Sequence, residues 1–200
     1  MAEVSVQAIT ISDEVVADAD FIVTAARPNT TATLANTSFA SGGARLLSVT
    51  TAGTGDNGKT TTITGTNVLD EVISEIITST GSAEAVNGTK YFKTVTSVVC
   101  SAQYAANITV GSLASAAQAI FAGPTRLKGF FVVSGAAAGI VNLYDGAPIS
   151  GSILFKTRTL GTDNTLINDT FIPGEGVLFR NGAVVQYTVG TVDLMTFFYA

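Results

Sequence analysis

Val141-Asn-Leu-Tyr-Asp-Gly146 and Ile172-Pro-Gly-Glu-Gly-Val-Leu-Phe-Arg-Asn-Gly182 decide the fold class of this chain. In both segments, strand-forming residues are followed by an Asx-Gly pair. This pair is the strongest short hairpin signal, because type I′ turns need positive φ at both central positions. The sequence therefore predicts a small all-β domain at residues 124–200. The residues predicted to form its turns are Asp145, Gly146, Asn181 and Gly182.

Residues 41–112 predict a second small β-domain. Short runs rich in β-branched residues recur there, separated by glycines, and this spacing is typical of a sandwich or barrel. The predicted strands are Arg45–Thr51, Thr60–Thr66, Val72–Thr78, Phe92–Cys100 and Ile108–Val110.

One segment of this domain, Val68–Thr78, fits two structures. Its apolar residues match the face of a helix that Asn67 would cap. The Ile-rich, Thr-flanked composition of Val72–Thr78 matches a strand. We favour the strand.

Two further segments connect or precede these domains. Residues 1–40 are predicted to be an N-terminal arm, because Pro28 and acidic residues isolate the apolar group Phe21, Ile22 and Val23. The alternative is a mobile N-terminus. These three residues are candidates for contact with a neighbouring subunit, and a chain starting near Ser41 is expected to fold but to assemble poorly. The small, Ala-rich residues 113–123 are predicted to be a linker. The expected fold is all-β, with an N-terminal arm followed by two small β-sandwich or barrel domains.

The composition favours a subunit that neighbours cover. Hydrophobic residues make up 46% of the chain, charged residues only 12%, and the net charge is −5. A surface built from Thr, Ser, Asn and Gly loses water at lower cost than a charged one. An ordinary Thr-rich β-protein is the alternative.

The C-terminal segment is the second candidate interface. Leu194–Tyr199 is nearly continuously apolar, and a strand that is apolar on both faces must be covered on both. Phe197, Phe198 and Tyr199 are therefore predicted to contact another subunit. The alternative is a central strand covered within its own chain.

The sequence argues against enzymatic activity. Histidine is absent and Cys100 is the single cysteine, which removes Ser-His-Asp and Cys-His catalysis. We therefore predict no enzyme, no cofactor and no small-molecule substrate, and we assign no metal-ligating residues, because a site built on His or Cys ligands is excluded. The ten Lys and Arg residues are scattered, which predicts no nucleic-acid partner. No apolar run reaches the roughly 18 residues of a membrane span, so no membrane partner is expected.

Two loop patterns could suggest ligands. Gly53–Thr60 matches the phosphate-binding pattern G-x-x-x-x-G-K-[ST]. That pattern needs a following helix, and Thr60–Thr66 is β-branched instead, so we predict a turn-rich loop without nucleotide. Whether loop oxygens hold a structural Ca²⁺ is left open. The candidates are Asp56, Asn57, Asp163, Asn164, Asn168 and Asp169.

Several motifs resemble a known class of proteins. Leu127-Lys-Gly-Phe-Phe-Val-Val-Ser134, together with the two segments quoted first, looks like the C-terminal β-domain of tailed-phage virion structural proteins. Ile73-Ser-Glu-Ile-Ile77 followed by Lys90-Tyr-Phe-Lys-Thr-Val-Thr-Ser-Val98 is similar to a pattern in the same class. The matches span most of the chain and are structural, not catalytic.

The resemblance implies a structural component of a virion that assembles in the host cytoplasm. Its implied partners are the major capsid protein or other virion proteins, and further copies of itself in a homo-oligomer. Within this class, a capsid decoration or cement protein on the outer shell fits the acidic charge. A head–tail or tail component is one alternative, and a β-sandwich module that recognises host glycans or receptors is another.

Overall fold

The computed structural model describes residues 5–12, 16–39, 42–81, 83–162 and 164–200. Within these residues the chain has fifteen strands, one 3₁₀ turn at Thr54–Asp56 and no α-helix, so the predicted all-β class is confirmed. The strands are β1 (Gln7–Ser12), β2 (Asp18–Ala26), β3 (Ala44–Thr51), β4 (Thr60–Thr66), β5 (Val72–Thr78), β6 (Ala85–Phe92), β7 (Thr94–Cys100), β8 (Ile108–Phe121), β9 (Thr125–Ser134), β10 (Ala138–Asp145), β11 (Ser152–Leu160), β12 (Thr165–Phe171), β13 (Val177–Phe179), β14 (Ala183–Thr188) and β15 (Val192–Tyr199).

The chain forms two compact units. The terminal unit contains residues 5–12 and 117–200, and the central unit contains the described residues between 16 and 116. The boundary falls within β8, which contributes residues to both units.

The terminal unit has β-sandwich character. Sheet A has the strand order β1-β15-β9-β12, with β13 also paired to β9, and these pairings are antiparallel. Sheet B continues through β11-β10-β14-β8. Phe130 of β9 and Phe155 of β11 bring the two sheets into contact, with ring centroids 4.9 Å apart.

The central unit packs a three-stranded sheet, β5-β4-β7, against the strands β8-β3-β6, with β2 paired to β8. Every one of these strands contributes to one core. Its buried residues are Ile22, Val23, Ala32, Phe39, Leu47, Val49, Ile63, Ile77, Phe92, Val95, Val98 and Val110.

The segment predicted to be an arm is part of both units. β1 pairs with β15, and β2 pairs with β8. Ile22 and Val23 are fully buried, and Phe21 stacks on Phe39 with centroids 5.1 Å apart. These three residues therefore do not form the predicted subunit contact, because β2 places them in or against their own core.

The close approach of β2 to β8 depends on one glycine. A β-carbon on Gly111 would collide with the backbone of Asp18 and Ala19. The predicted strand Ile108–Val110 ended just before Gly111, whereas β8 continues through it, so the sequence did not predict the long-range pairing that this glycine permits.

The Ala-rich residues 113–123 also differ from expectation. Most of them lie within β8, which is continuous from Ile108 to Phe121. Ala116 and Ala117 are buried there. Tertiary pairing thus overrides the weak β-propensity of alanine.

The ambiguous segment is a strand. β5 covers Val72–Thr78, and Asn67 forms a turn instead of a helix cap. Its side-chain oxygen accepts hydrogen bonds from the amides of Leu69 and Glu71, at 2.9 and 3.1 Å. Asp70 between them has a φ of 63°, which ends any helical path.

The two Asx-Gly turns contact each other. Gly146 and Gly182 have φ values of 93° and 102°, and the Gly146 amide donates to the Gly182 carbonyl at 2.8 Å. Asp145 Oδ1 accepts from the amides of Arg180 and Asn181, at 2.7 and 2.6 Å.

Neither turn is the two-residue hairpin that the sequence suggested. Asp145 pairs with Ser152, so residues 146–151 form a longer loop. Asn181 and Gly182 connect β13, paired to β9, with β14, paired to β10. The positive φ of Gly182 therefore belongs to a connection between two strands that have different partners.

Candidate functional site

The outward side of sheet A carries an unusual density of apolar side chains. Along β9, Phe130 and Val132 are 1% exposed and face the core. Phe131 and Val133 are half-buried and lie on the other face, because successive strand residues alternate. The apolar run in this strand therefore supplies both a core and a surface.

The neighbouring strands continue this outward surface. In β15, Met195 and Phe197 are buried, whereas Leu194 and Phe198 alternate with them and are half-buried. The register places Leu194 beside Val133.

Strand β12 adds the most exposed members. Leu166 pairs with Val133, and Phe171 pairs with Gly129. Leu166 is 56% exposed and Phe171 80% exposed. We call this surface the outer face of sheet A, and define its apolar members as Phe131, Val133, Leu166, Phe171, Leu194 and Phe198.

Charge on the outer face is sparse. Among the β12 positions on this face, the ionisable residue is Asp169, which pairs with Phe131. At the β13 end of the sheet, Arg126 lies 3.9 Å from Glu175, and Lys128 donates to the Gly174 carbonyl at 3.2 Å. An apolar centre with polar groups at its margin is the usual anatomy of a protein–protein interface.

The structure separates the three C-terminal residues predicted to form an interface. Phe197 is fully buried in the core and is not available for contact. Phe198 lies on the outer face, beside Ala8 in the register. Tyr199 packs against Phe121, with ring centroids 5.5 Å apart.

Sequence reasoning missed the contribution of β12. Leu166 and Phe171 lie at the two ends of a run that also contains Thr165, Asp169 and Thr170, so the run lacked the continuous apolar pattern used to find Leu194–Tyr199. Strict alternation would place Leu166 and Phe171, five residues apart, on opposite faces. They share a face because the register shifts by one residue between Leu166 and Asn168, and no local pattern signals that shift.

The phosphate-loop pattern forms a different structure. A 3₁₀ turn and then β4 follow Gly53, so no helix starts after Lys59. Lys59 Nζ donates to Asp56 Oδ1 at 2.8 Å and to the Gln103 carbonyl at 2.6 Å. It also lies 5.4 Å from the centroid of the Tyr104 ring. The lysine is thus engaged by Asp56 of its own loop and by the loop between β7 and β8, and it lacks the helix amides that hold phosphates.

Asp56 is the buried charge at the centre of this loop. Besides Lys59, it accepts from the amides of Ala105 and Ala106, at 2.6 and 3.3 Å. Burial raises the pKa of the Asp56 carboxyl, but the hydrogen bonds from Lys59 and the two amides outweigh it, so its pKa lies below the ordinary value. These contacts give Asp56 a structural role.

The other reactive group, Cys100, is buried beside Tyr104 and Ile108. Burial raises the pKa of its thiol, which disfavours the nucleophilic thiolate.

In the part of the chain that the structure describes, no three His, Cys, Asp or Glu side chains converge as a metal site. Asp163, a calcium candidate, lies outside the described residues. No helix among the described residues is long and apolar enough to cross a membrane.

Comparison with known proteins adds no relative: no protein family, curated protein or solved structure matches this chain. The resemblance to phage virion proteins therefore stays a prediction from its motifs.

Proposed function

We propose that this protein is a structural subunit that acts by binding another protein surface through the outer face of sheet A. The observation that carries the proposal is the exposure of Leu166 and Phe171 next to half-buried Phe131, Val133, Leu194 and Phe198. Monomeric proteins rarely expose large contiguous apolar patches unless these mark interaction sites.

The sequence motifs make this proposal more specific. Because they resemble tailed-phage virion proteins, we propose a virion component, with a capsid decoration or cement protein on the outer shell as the preferred role. A cement subunit stabilises a shell because its binding favours the assembled state. A head–tail or tail component would use the same kind of contact.

The distribution of charge supports contact through the terminal unit. Between positions 117 and 200 five residues are basic and five are acidic, so this stretch carries no net charge. The acidic excess lies in the rest of the chain, which includes Glu3, Asp13 and Glu14. A stretch without net charge and with an apolar sheet face can lose water at low cost.

Host recognition through glycans is the rival function. Sugar-binding sites combine aromatic platforms with polar groups that hydrogen-bond to hydroxyls. The outer face has the aromatic rings of Phe131, Phe171 and Phe198. Its exposed polar side chains are two hydroxyls on β1, from Ser12 and Thr10, and the Asp169 carboxylate. The apolar balance therefore favours protein contact.

The test compares phage particles assembled with wild-type protein and with Phe171→Ser. We expect the variant particles to release their genomes at a lower temperature, at equal genome length. Ile76→Ser is the matched control, because Ile76 is also exposed, at 66%, but lies on β5 in the central unit. Unchanged heat stability together with reduced host attachment would favour the recognition function instead.

A further inference from the structure

We infer that the partner of the outer face of sheet A is the same face of a second copy of this chain. This inference rests on the proposed function, in which the face is a protein contact. The register of sheet A arranges the outward residues in three rows that run across four strands.

The rows are fixed by the strand pairing. Across β1, β15, β9 and β12, the first row is Ser12, Leu194, Val133 and Leu166. The second row is Thr10, Thr196, Phe131 and Asp169. The third row is Ala8, Phe198, Gly129 and Phe171.

Each row runs from a small residue on β1 to a large or charged residue on β12. A two-fold axis parallel to the strands would stack two such faces and reverse each row. The large β12 edge of one copy would then lie over the small β1 edge of the other. In the third row, for example, Phe171 would lie opposite Ala8 of the second copy. Large side chains opposite small ones allow the two faces to interdigitate, as the inner faces of packed sheets do.

The same arrangement is favourable for charge. The row containing Asp169 begins with Thr10. The Asp169 carboxylate would therefore lie opposite the Thr10 hydroxyl of the second copy and far from the second copy's Asp169 carboxylate. Thr10 Oγ1 is 2.9 Å from Thr196 Oγ1, and either hydroxyl can donate to an approaching carboxylate. An axis perpendicular to the strands would instead stack β12 on β12 and bring the acidic edges together.

The size of the face indicates a weak dimer. Four strands spaced about 4.8 Å apart, with five residues of about 3.4 Å each, give a footprint of roughly 350 Å² per copy. Two copies therefore contribute about 700 Å² in projection, and the relief of the side chains brings the buried area towards the roughly 1,000 Å² of a specific interface. We expect association in the micromolar range.

The first experiment is sedimentation velocity of the full chain from low to high micromolar concentration. We expect the wild type to form a reversible dimer, and Phe171→Ser to weaken it at least about tenfold, because the two-fold arrangement loses this aromatic contact twice in each dimer. Ile76→Ser should dimerise like the wild type. A wild type that stays monomeric, or an equal loss in both variants, would overturn the inference.

The second experiment tests the geometry with a short bis-maleimide linker on the double variant Ser12→Cys with Leu166→Cys. Within one chain these positions are three strands apart, about 14 Å, but stacked sheets lie about 10 Å apart. We expect a linked dimer from the double variant and none from either single variant or from the wild type, whose Cys100 is buried. Linking in a single variant would exclude this two-fold arrangement.

These outcomes are separable from those for the proposed function. If the protein is monomeric but particles with Phe171→Ser still lose heat stability, the face binds a different protein and only the inference fails. If dimers form and particle stability is unchanged, the inference stands and the cement function fails.

Discussion

At the residue scale, Asp56 shows how a nucleotide-like pattern can be structural. Its carboxylate is fully buried, yet three donors from the same unit surround it. A buried carboxylate is tolerated when hydrogen bonds replace its water. Lys59 of the Gly-rich loop and the amides of Ala105 and Ala106 from a second loop supply these hydrogen bonds, and the Gly-rich loop forms no phosphate cradle.

The lowered pKa of Asp56 gives a pH-dependent prediction. Because the folded state holds the proton less tightly than the unfolded state, this group adds stability above the ordinary pKa of 3.8, and the contribution is lost as the pH falls through the folded-state value. Asp56→Asn should lower the free energy of unfolding by about 1–3 kcal/mol at pH 7, through weakened hydrogen bonds to a charged group. The difference from the wild type should shrink at pH 3, as measured by urea unfolding.

Asp70→Asn is the control for this prediction. Asp70 also pairs with a lysine, Lys93 at 2.7 Å, but its side chain is 69% exposed. Asparagine tolerates the positive φ found there, and exposed ion pairs contribute little. An Asp56→Asn effect that is the same at pH 7 and pH 3 would contradict the assigned role of its charge.

At the scale of elements, Glu75 joins two strands that do not pair through their backbones. From β5, its Oε1 accepts from the amide and hydroxyl of Thr89 in β6, at 2.7 and 2.8 Å. A β-carbon on Gly88 would meet its other oxygen, Oε2, at 2.5 Å. The glycine therefore leaves space for the carboxylate. Glu75 supplies a hydrogen-bond acceptor at the edge strand β6, whose amide groups would otherwise lack a partner strand.

Glu75→Ala is expected to reduce the free energy of unfolding by about 2 kcal/mol, because it leaves strand amides without their charged acceptor. Thermal or urea unfolding measures this loss. Glu84→Ala removes the same charge from an exposed position and should stay within about 0.5 kcal/mol of the wild type. Equal effects of the two changes would show that net charge, not the strand link, matters.

At the scale of the whole molecule, the first forty residues are integral to the fold. β1 completes the edge of sheet A, while β2 places Ile22 and Val23 in the central core together with Phe39. This organisation differs from the independent arm predicted from sequence. The chain leaves the terminal unit after β1 and returns to it along β8.

Removal of residues 1–40 should therefore prevent cooperative folding, because buried apolar side chains contribute about 1.5–3 kcal/mol each and several are lost together. Circular dichroism and thermal melting of the truncated chain test this. A shorter truncation of residues 1–6, which stops before β1, is the control and should fold normally. A cooperative melt of the longer truncation would restore the arm hypothesis.

Much of the fold was predictable from local sequence. The bounds of β4 and β5 agree with the predicted runs Thr60–Thr66 and Val72–Thr78, because β-branched composition and flanking turns are local properties. The turn-rich loop at Gly53–Thr60 was also predicted locally, from the β-branched residues that follow it. Two of the six apolar members of the candidate surface, Leu194 and Phe198, were also visible, since Leu194–Tyr199 is apolar on both faces.

What the sequence by itself determined is the all-β class, the strand-rich composition and the shortage of charge. Only the tertiary structure decided which strands pair, because pairing joins residues as distant as Ala8 and Phe198 and depends on packing that no local pattern records. That pairing buried Ile22, Val23 and Phe197 in cores and turned Phe171 and Phe198 outward. A one-residue change of register would exchange these faces, so the candidate surface belongs to the sheet and not to any single segment.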